Sequence, residues 1–321
     1  MKDLVVGDIH LSANPRDEYR HRFQKWLRET ARTIKPDRII LLGDLTEEKD
    51  RHPAVLVNRV VDHVFKLARI APVVCLAGNH DYKEEGRAFF KFLHRIPNTT
   101  WIGEPTVIDK CLFLPHTPNY KRDWDGIDFQ DHACIYLHNT FNRADLGNGI
   151  EAGDGIPSRI IPKQALALCG DVHVPQETKP IVYVGAPYTV DFGDSYKSSI
   201  ILRTGQRYDR IDTAHLGQKR SIVLTTGDTD LRNQFFNVGD IAQISIDVDD
   251  MGGWLPLRDG IKADAEKRGL QVWSIKPKLI ARATRRNHEV KDKGSDLELL
   301  DTFSKRHGLT DAVRKTGEKL L

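Results

Sequence analysis

The chain has 321 residues, a length that suggests two domains, and its 40% hydrophobic content is enough for a substantial core. A net charge of only +3 excludes a polycation, so any nucleic-acid contact must come from local patches. The opening MKDLVVGDIH enters a strand at once, and no apolar run approaches the roughly 20 residues of a membrane span. A soluble, cytoplasmic protein is expected (host cytoplasm if the source is a virus).

Residues 4–6 read as a short apolar strand before GDIH. Residues 19–34 carry Phe23, Trp26, Leu27 and Ile34 at helical spacing, and Pro36 stops that helix. Residues 38–42 (RIILL) are a buried strand ending in GD. Residues 55–68 repeat the helical period through Val57, Val60, Val61, Val64 and Leu67. The strand at 72–77 ends in GNHD, and a helix is predicted through Phe89, Phe90 and Leu93. This alternation implies parallel strands with right-handed crossovers. Shorter strands are predicted at 106–108, 111–114, 134–137, 165–169, 181–184 and 199–202, separated by Gly/Pro/Asp loops. They suggest a second sheet packed on the first, which gives an α/β two-sheet sandwich flanked by helices.

The texture turns charged at 204–219. Strands at 222–224 and 241–248, a helix at 257–268 and a strand at 270–276 then predict a small α+β cap domain. The expected organisation is a first domain at 1–205, the cap at 218–284, a polar linker at 285–296, and a helical tail at 297–321 broken at Gly308. Cys75, Cys111, Cys134 and Cys169 stand singly in apolar runs, with no C-x-x-C pair, and read as reduced core thiols.

Five polar clusters follow strand-like runs: GDIH (Asp8, His10), GD (Asp44), GNHD (Asn79, His80, Asp81), LHN (His138) and GDVH (Asp171, His173). In open α/β sheets reactive groups gather beyond the carboxyl ends of strands. Carboxylates, imidazoles and one amide are a ligand list for two divalent cations. Two such ions about 3.5–4 Å apart neutralise a phosphodiester and activate a bridging hydroxide. Each cluster alone has an ordinary reading, a turn or a packed loop histidine; it is the five together that carry weight.

In order and spacing the clusters resemble the D-x-H, GD, GNHD, H, GHxH pattern of the calcineurin-like metallophosphoesterases. That resemblance implies the metallophosphoesterase fold, with one metal held by Asp8, His10, Asp44 and His173. The other would be held by Asp44, Asn79, His138 and Asp171, with Asp44 as the bridge. It makes His80 the residue that points at the phosphate and assists the leaving oxygen, and Asp81 the residue that orients the loop. The last motif departs from the pattern, because Asp171 stands where a histidine is usual. Three aspartates then face two divalent ions, which favours manganese or magnesium (iron also fits) over zinc and weakens the second ion as a Lewis acid. The alternative is that Asp171 faces away.

GDVHVPQ followed by VYVGAPYTVDFGDS resembles the SbcD-like DNA-repair exonucleases, and the compact size is similar to the phage-type recombination nucleases. The resemblance is strong over 1–200 and weak over the tail. It implies a manganese-dependent exonuclease and single-strand endonuclease, the nuclease subunit of an SbcCD-type complex, with the tail docking on an SMC-like ATPase. It also implies a homodimer, with 53–65 a possible interface. The family often places an acid or histidine three residues past the GD aspartate; here that is Glu47, expected to pair with His80 and raise its pKa. Candidate DNA contacts are Arg16, Arg20, Arg22, Lys121, Arg122, Arg282, Arg285 and Arg286, with a plain solvated face as the competing reading for Arg20 and Arg22. Two other readings stand beside the nuclease: a small-substrate phosphatase or cyclic-nucleotide phosphodiesterase, and a non-catalytic adaptor between DNA and ATPase.

Overall fold

Uninterrupted apolar runs form the first strands, because a parallel strand covered on both faces has no polar side. In the computed structural model, which describes residues 1–279 apart from 50, 85, 86 and 148, β1 (Lys2–Val6) and β2 (Arg38–Leu41) carry such runs at 4–6 and 39–41, each after a charged start. Between them α1 (Glu18–Ile34) buries Tyr19, Phe23, Leu27 and Ala31, one residue per turn. It ends where Lys35 turns left-handed (φ 53°) and its N–H caps the Ala31 carbonyl. Next come α2 (Ala54–Ala68), β3 (Val73–Leu76), the hairpin β4 (Tyr82–Glu84) and β5 (Arg87–Ala88), then β6 (Thr99–Ile102). The predicted helix at Phe89 is a 3₁₀ segment, Phe89–Arg95. The second sheet is built from β7 (Thr106–Ile108), β8 (Cys111–Leu114), β9 (Cys134–His138), β10 (Ala167–Gly170), β11 (Gln176–Thr178) and β12 (Ile181–Tyr183). A short α3 (Tyr120–Asp123) lies between β8 and β9.

The first sheet runs β14-β13-β1-β2-β3-β6, where β13 (Ser199–Thr204) and β14 (Arg207–Asp212) return antiparallel to close one edge. The second runs β11-β12-β10-β9-β8-β7. Residues 199–202, expected with the second sheet, therefore belong to the first. β14 also carries the first sheet to Asp212, past the expected boundary at 205. Its alternating half-exposed residues form an edge strand, which is why that stretch lacked an apolar run.

Val5, Ile40, Val74 and Leu76 meet Phe113, Tyr136, Leu168 and Val184 between the sheets. The outer face of the first sheet is covered by α1 and α2 through Phe23, Leu27, Val60 and Val64. Burying each such side chain stabilises by about 1.5–3 kcal/mol. The outer face of the second sheet carries Trp124, Phe141, Ile156 and Ile161 from loops. All four cysteines are buried and free of disulfides.

A third sheet of parallel strands, β15 (Lys219–Thr225), β16 (Ile241–Val248) and β17 (Gln271–Leu279), packs on α4 (Trp254–Lys267) over its own core of Ile222, Ile244, Ile246 and Ile261. It joins the sandwich through both apolar and polar contacts, and residues 1–279 form one compact unit: Ile241 enters the core beneath α1, and Trp273 packs on Phe192. Arg22 donates to the Gly239 carbonyl (2.8 Å), and Lys219 meets Asp17 (3.4 Å). The last five residues of the expected cap (280–284), the whole linker (285–296) and the tail (297–321) lie outside the described residues. Among the described residues no helix is long and apolar enough to cross a membrane.

Candidate metal centre

β1, β2 and β3 are adjacent and parallel, so Asp8, Asp44 and Asn79 emerge side by side from their carboxyl ends. β9 and β10 do the same in the facing sheet, where Gly170 pairs with His138. The two sets meet across the sandwich: the Asp171 N–H donates to Asp8 Oδ1 (2.9 Å), and His138 Nδ1 donates to the Leu42 carbonyl. That bond fixes the His138 tautomer and leaves Nε2 for the centre.

The strand-end turns are strained. Asp8 (φ 22°), His10 (φ 42°), Asp44 (φ 51°) and Asp171 (φ 78°) all lie in the left-handed region that favours glycine. Each such residue costs on the order of 1–3 kcal/mol, and such strain clusters at functional sites. The turns also pack too closely for side chains. A Cβ on Gly78 would lie 2.2 Å from Asp44 Oδ1, and one on Gly43 (φ 93°) would lie 2.6 Å from His138 Nδ1.

Asp81 binds two turns together. Fully buried, it accepts from the N–H groups of Asp44 (2.9 Å), Leu45 (3.2 Å) and Gly78 (2.8 Å). Burial and the nearby Asp44 push its carboxyl up to about 7 against the pull of those N–H groups.

The donor atoms converge. Asp8, His10 and His173 form one group able to hold a cation, and Asp8, Asp44 and His138 a second. His10, Asp44 and His80 form a third. His10 Nε2 and His173 Nε2 face each other at 3.1 Å. Two donors bound at right angles to one cation, at metal–ligand distances of about 2.0–2.2 Å, sit roughly 3 Å apart. The two oxygens of Asp44 reach different imidazoles: Oδ2 is 3.4 Å from His10 Nε2, and Oδ1 is 3.5 Å from His138 Nε2. Asp171 faces the same centre, with Oδ1 3.7 Å from His138 Nε2 and Oδ2 accepting from Thr140 Oγ1 (2.6 Å). Asp8 Oδ2, Asn79 Oδ1 and His138 Nε2 are buried and lack hydrogen-bond partners. Buried polar atoms are rarely left so, and this donor set fits divalent cations with oxygen and imidazole ligands.

Without a cation the charges adjust to one another. Burial pushes Asp8 up to about 6, with His138 and His173 opposing. Burial holds His10 well below the ordinary imidazole value. Asp44 and His138 form a buried ion pair in which mutual attraction overcomes burial, so the carboxyl is driven down and the imidazole well up.

His80 lies beside His10, with ring centroids 4.8 Å apart, and its Nδ1 donates to the backbone carbonyl of Glu47 (2.7 Å). The expected pairing of the Glu47 carboxylate with His80 is therefore replaced. That carboxylate accepts from Arg20 Nη1 (2.8 Å), because α1 brings the guanidinium directly beneath the turn.

Arg20 itself is a correction. Expected as a DNA contact or a solvated residue, it is 2% exposed and donates to the carbonyls of His10 and Val190. Its alkyl stem follows the buried face of α1, so its charge is spent inside the protein. Of the other candidates, Arg16 is exposed over the Trp273 ring (4.8 Å), and Arg22 is exposed but bonded to Gly239. Lys121 and Arg122 are exposed on α3, where Arg122 meets Asp123 (2.6 Å). Arg282, Arg285 and Arg286 lie outside the described residues.

Sequence reasoning did not single out Thr140, two residues past His138, or Asn139, whose Nδ2 donates to the Thr117 carbonyl (2.8 Å). His116, which the sequence left between a site-lining residue and an ordinary loop histidine, borders the centre with its ring 6.2 Å from that of His138.

Residues 1–146 match the model of a family described as calcineurin-like phosphoesterase. Over 219 residues the chain is also 25% identical to a protein of Invertebrate iridescent virus 6 provisionally named phosphoesterase 244L, an alignment that covers 63% of this chain and 75% of the viral one.

Proposed function

We propose that the protein is a metal-dependent phosphodiesterase that cuts DNA, the nuclease subunit of an SbcCD-type complex; the match of residues 1–146 to the calcineurin-like phosphoesterase model supports the phosphoesterase part of this reading. The observation that carries the hydrolytic part is the Asp44 carboxylate, poised between two imidazoles with one oxygen toward each. Asp8, His10, Asp44 and His173 would hold one divalent cation, and Asp44, Asn79, His138 and Asp171 the other. Bound there, the cations would supply the Lewis acidity and activated water that phosphodiester hydrolysis needs.

The remaining work falls to the chain. Asp81 holds the GD and GNHD turns at a fixed spacing through its three N–H bonds. His80 Nδ1 carries a proton, because its partner is a carbonyl; this aims the ring and leaves Nε2 for the substrate. Protonated there, His80 is placed to assist the departing 3′-oxygen. The DNA specificity is supported by the GDVHVPQ and VYVGAPYTVDFGDS segments and by the third sheet, which a small phosphate ester does not need. The ATPase partner, the homodimer and manganese are parts of the same reading.

Linear duplex, single-stranded DNA and p-nitrophenyl phosphate, assayed side by side with manganese, magnesium and zinc, test it. DNA cleavage that vanishes in Asp44→Ala supports the nuclease. Turnover of the small ester alone would make the protein a phosphatase, and DNA binding without cleavage would make it an adaptor.

A further inference from the structure

A cleft of about 830 Å³ opens beside the metal centre, and nothing described so far uses it. Asn79 and His116 stand at its inner end, and Tyr82, Trp101, Trp124 and Pro115 are among its walls. Its size is that of a pocket for a small organic molecule, far larger than a phosphate group requires. Its position is set by rigid parts. β3, which delivers Asn79, pairs in parallel with β6, which carries Trp101, so that Cys75 lies opposite Trp101. Tyr82 is held by its hydroxyl, which donates to the Gly103 carbonyl (3.2 Å). Trp101 Nε1, beside Gly103, is a buried donor with no acceptor.

Lys91, Glu104, Arg122 and Asp123 also line the cleft, but the Tyr82, Trp101 and Pro115 surfaces suit a flat, apolar-faced group with polar edges, and a site that begins at Asn79 suits a group attached to the phosphate. We propose that this cleft receives the planar base of a nucleotide flanking the cleaved bond. The inference rests on reading the chain as a nucleotide phosphodiesterase, and it assigns the half-buried Tyr82 and Trp101 to base binding. Base stacking on aromatic side chains is sequence-tolerant, as an enzyme acting along a strand needs.

Calorimetric titration of the whole protein with dAMP and with deoxyribose 5-phosphate tests this directly, because the two ligands differ by the base alone. The wild type is expected to bind dAMP about tenfold or more tightly than the sugar phosphate. Trp101→Ala is expected to abolish the difference. Thr106→Trp, which fills the cleft from the half-buried β7 at its rim, is expected to do the same without removing any wall and guards against misfolding of the first variant. Equal binding of the two ligands by the wild type, no binding of dAMP, or a preference that survives both variants would overturn the assignment. Cleavage assays fail separately: dAMP held through its base by a protein that cuts no DNA would leave the subsite standing and sink the nuclease.

Discussion

Asp3 and Asp8 lie five residues apart, at the two ends of β1, and both are fully buried. Asp3 is satisfied on every side: Arg38 donates to both its oxygens (3.0 and 3.1 Å), Arg203 Nη1 donates to Oδ2 (2.6 Å), and the Tyr136 hydroxyl adds a fourth bond. Burial alone would raise its carboxyl, but these donors outweigh burial and hold it below the usual range. Asp8 has one oxygen on the Asp171 N–H and the other without a partner, and burial raises it to about 6. A buried charge matched by its own fold serves the structure. A buried carboxyl with an unpartnered oxygen, on a strained turn among other unpartnered donors, has the pattern of a ligand-binding site.

The same substitution at both ends tests this contrast. Asp8→Asn keeps the acceptor for Asp171 but removes a ligand charge, so cleavage should fall by about a thousandfold, the scale of losing a transition-state charge stabiliser. Its cation-free unfolding midpoint should stay level or rise; a clear drop would mean that Asp8 is structural after all. Asp3→Asn should do the reverse. It leaves two buried guanidiniums without their carboxylate and should cost about 3–5 kcal/mol in urea unfolding, with turnover per folded molecule preserved.

Manganese sharpens the comparison in thermal melts. At a hundredfold excess over its dissociation constant, a cation bound only by the folded state adds about 2.7 kcal/mol. Wild type and Asp3→Asn should both gain, reversibly with chelator, and Asp8→Asn should gain little.

Acid separates the two ends again. The Asp3 carboxyl sits below its unfolded value of 3.8, so its contribution is complete above that pH and disappears as pH falls through the folded value. The stability gap between wild type and Asp3→Asn should therefore be constant near neutrality and close below about pH 4. A gap that persisted into strong acid would show that packing, not charge, accounts for it. The smallest effect is expected at Asp171. Histidine there should move the metal preference from manganese or magnesium toward zinc by a severalfold change in relative rates, and loss of activity with every metal would contradict that role.

Much of this was legible beforehand, for local reasons. RIILL before GD and VVCLA before GNHD announce buried strands that end in polar turns, and parallel strands must deliver such turns to one edge. Strands with weaker patterns were missed: β6 at TTWI and β14 at RYDRID lie on or near sheet edges, where one face is wet and the apolar signal halves.

The sequence by itself determined which groups could ligate and at which strand ends they would stand, because side-chain chemistry and strand periodicity are local properties. Only the tertiary structure decided who partners whom. Arg20 looks like any exposed helical cation until α1 docks and turns it beneath His10 and Glu47. Asp3 in β1 and Asp8 just past its end are both buried aspartates, until two arginines arrive at Asp3 from β2 and β13 while one Asp8 oxygen is left without a hydrogen-bond partner. Those encounters join segments up to 200 residues apart, and no short-range pattern encodes them.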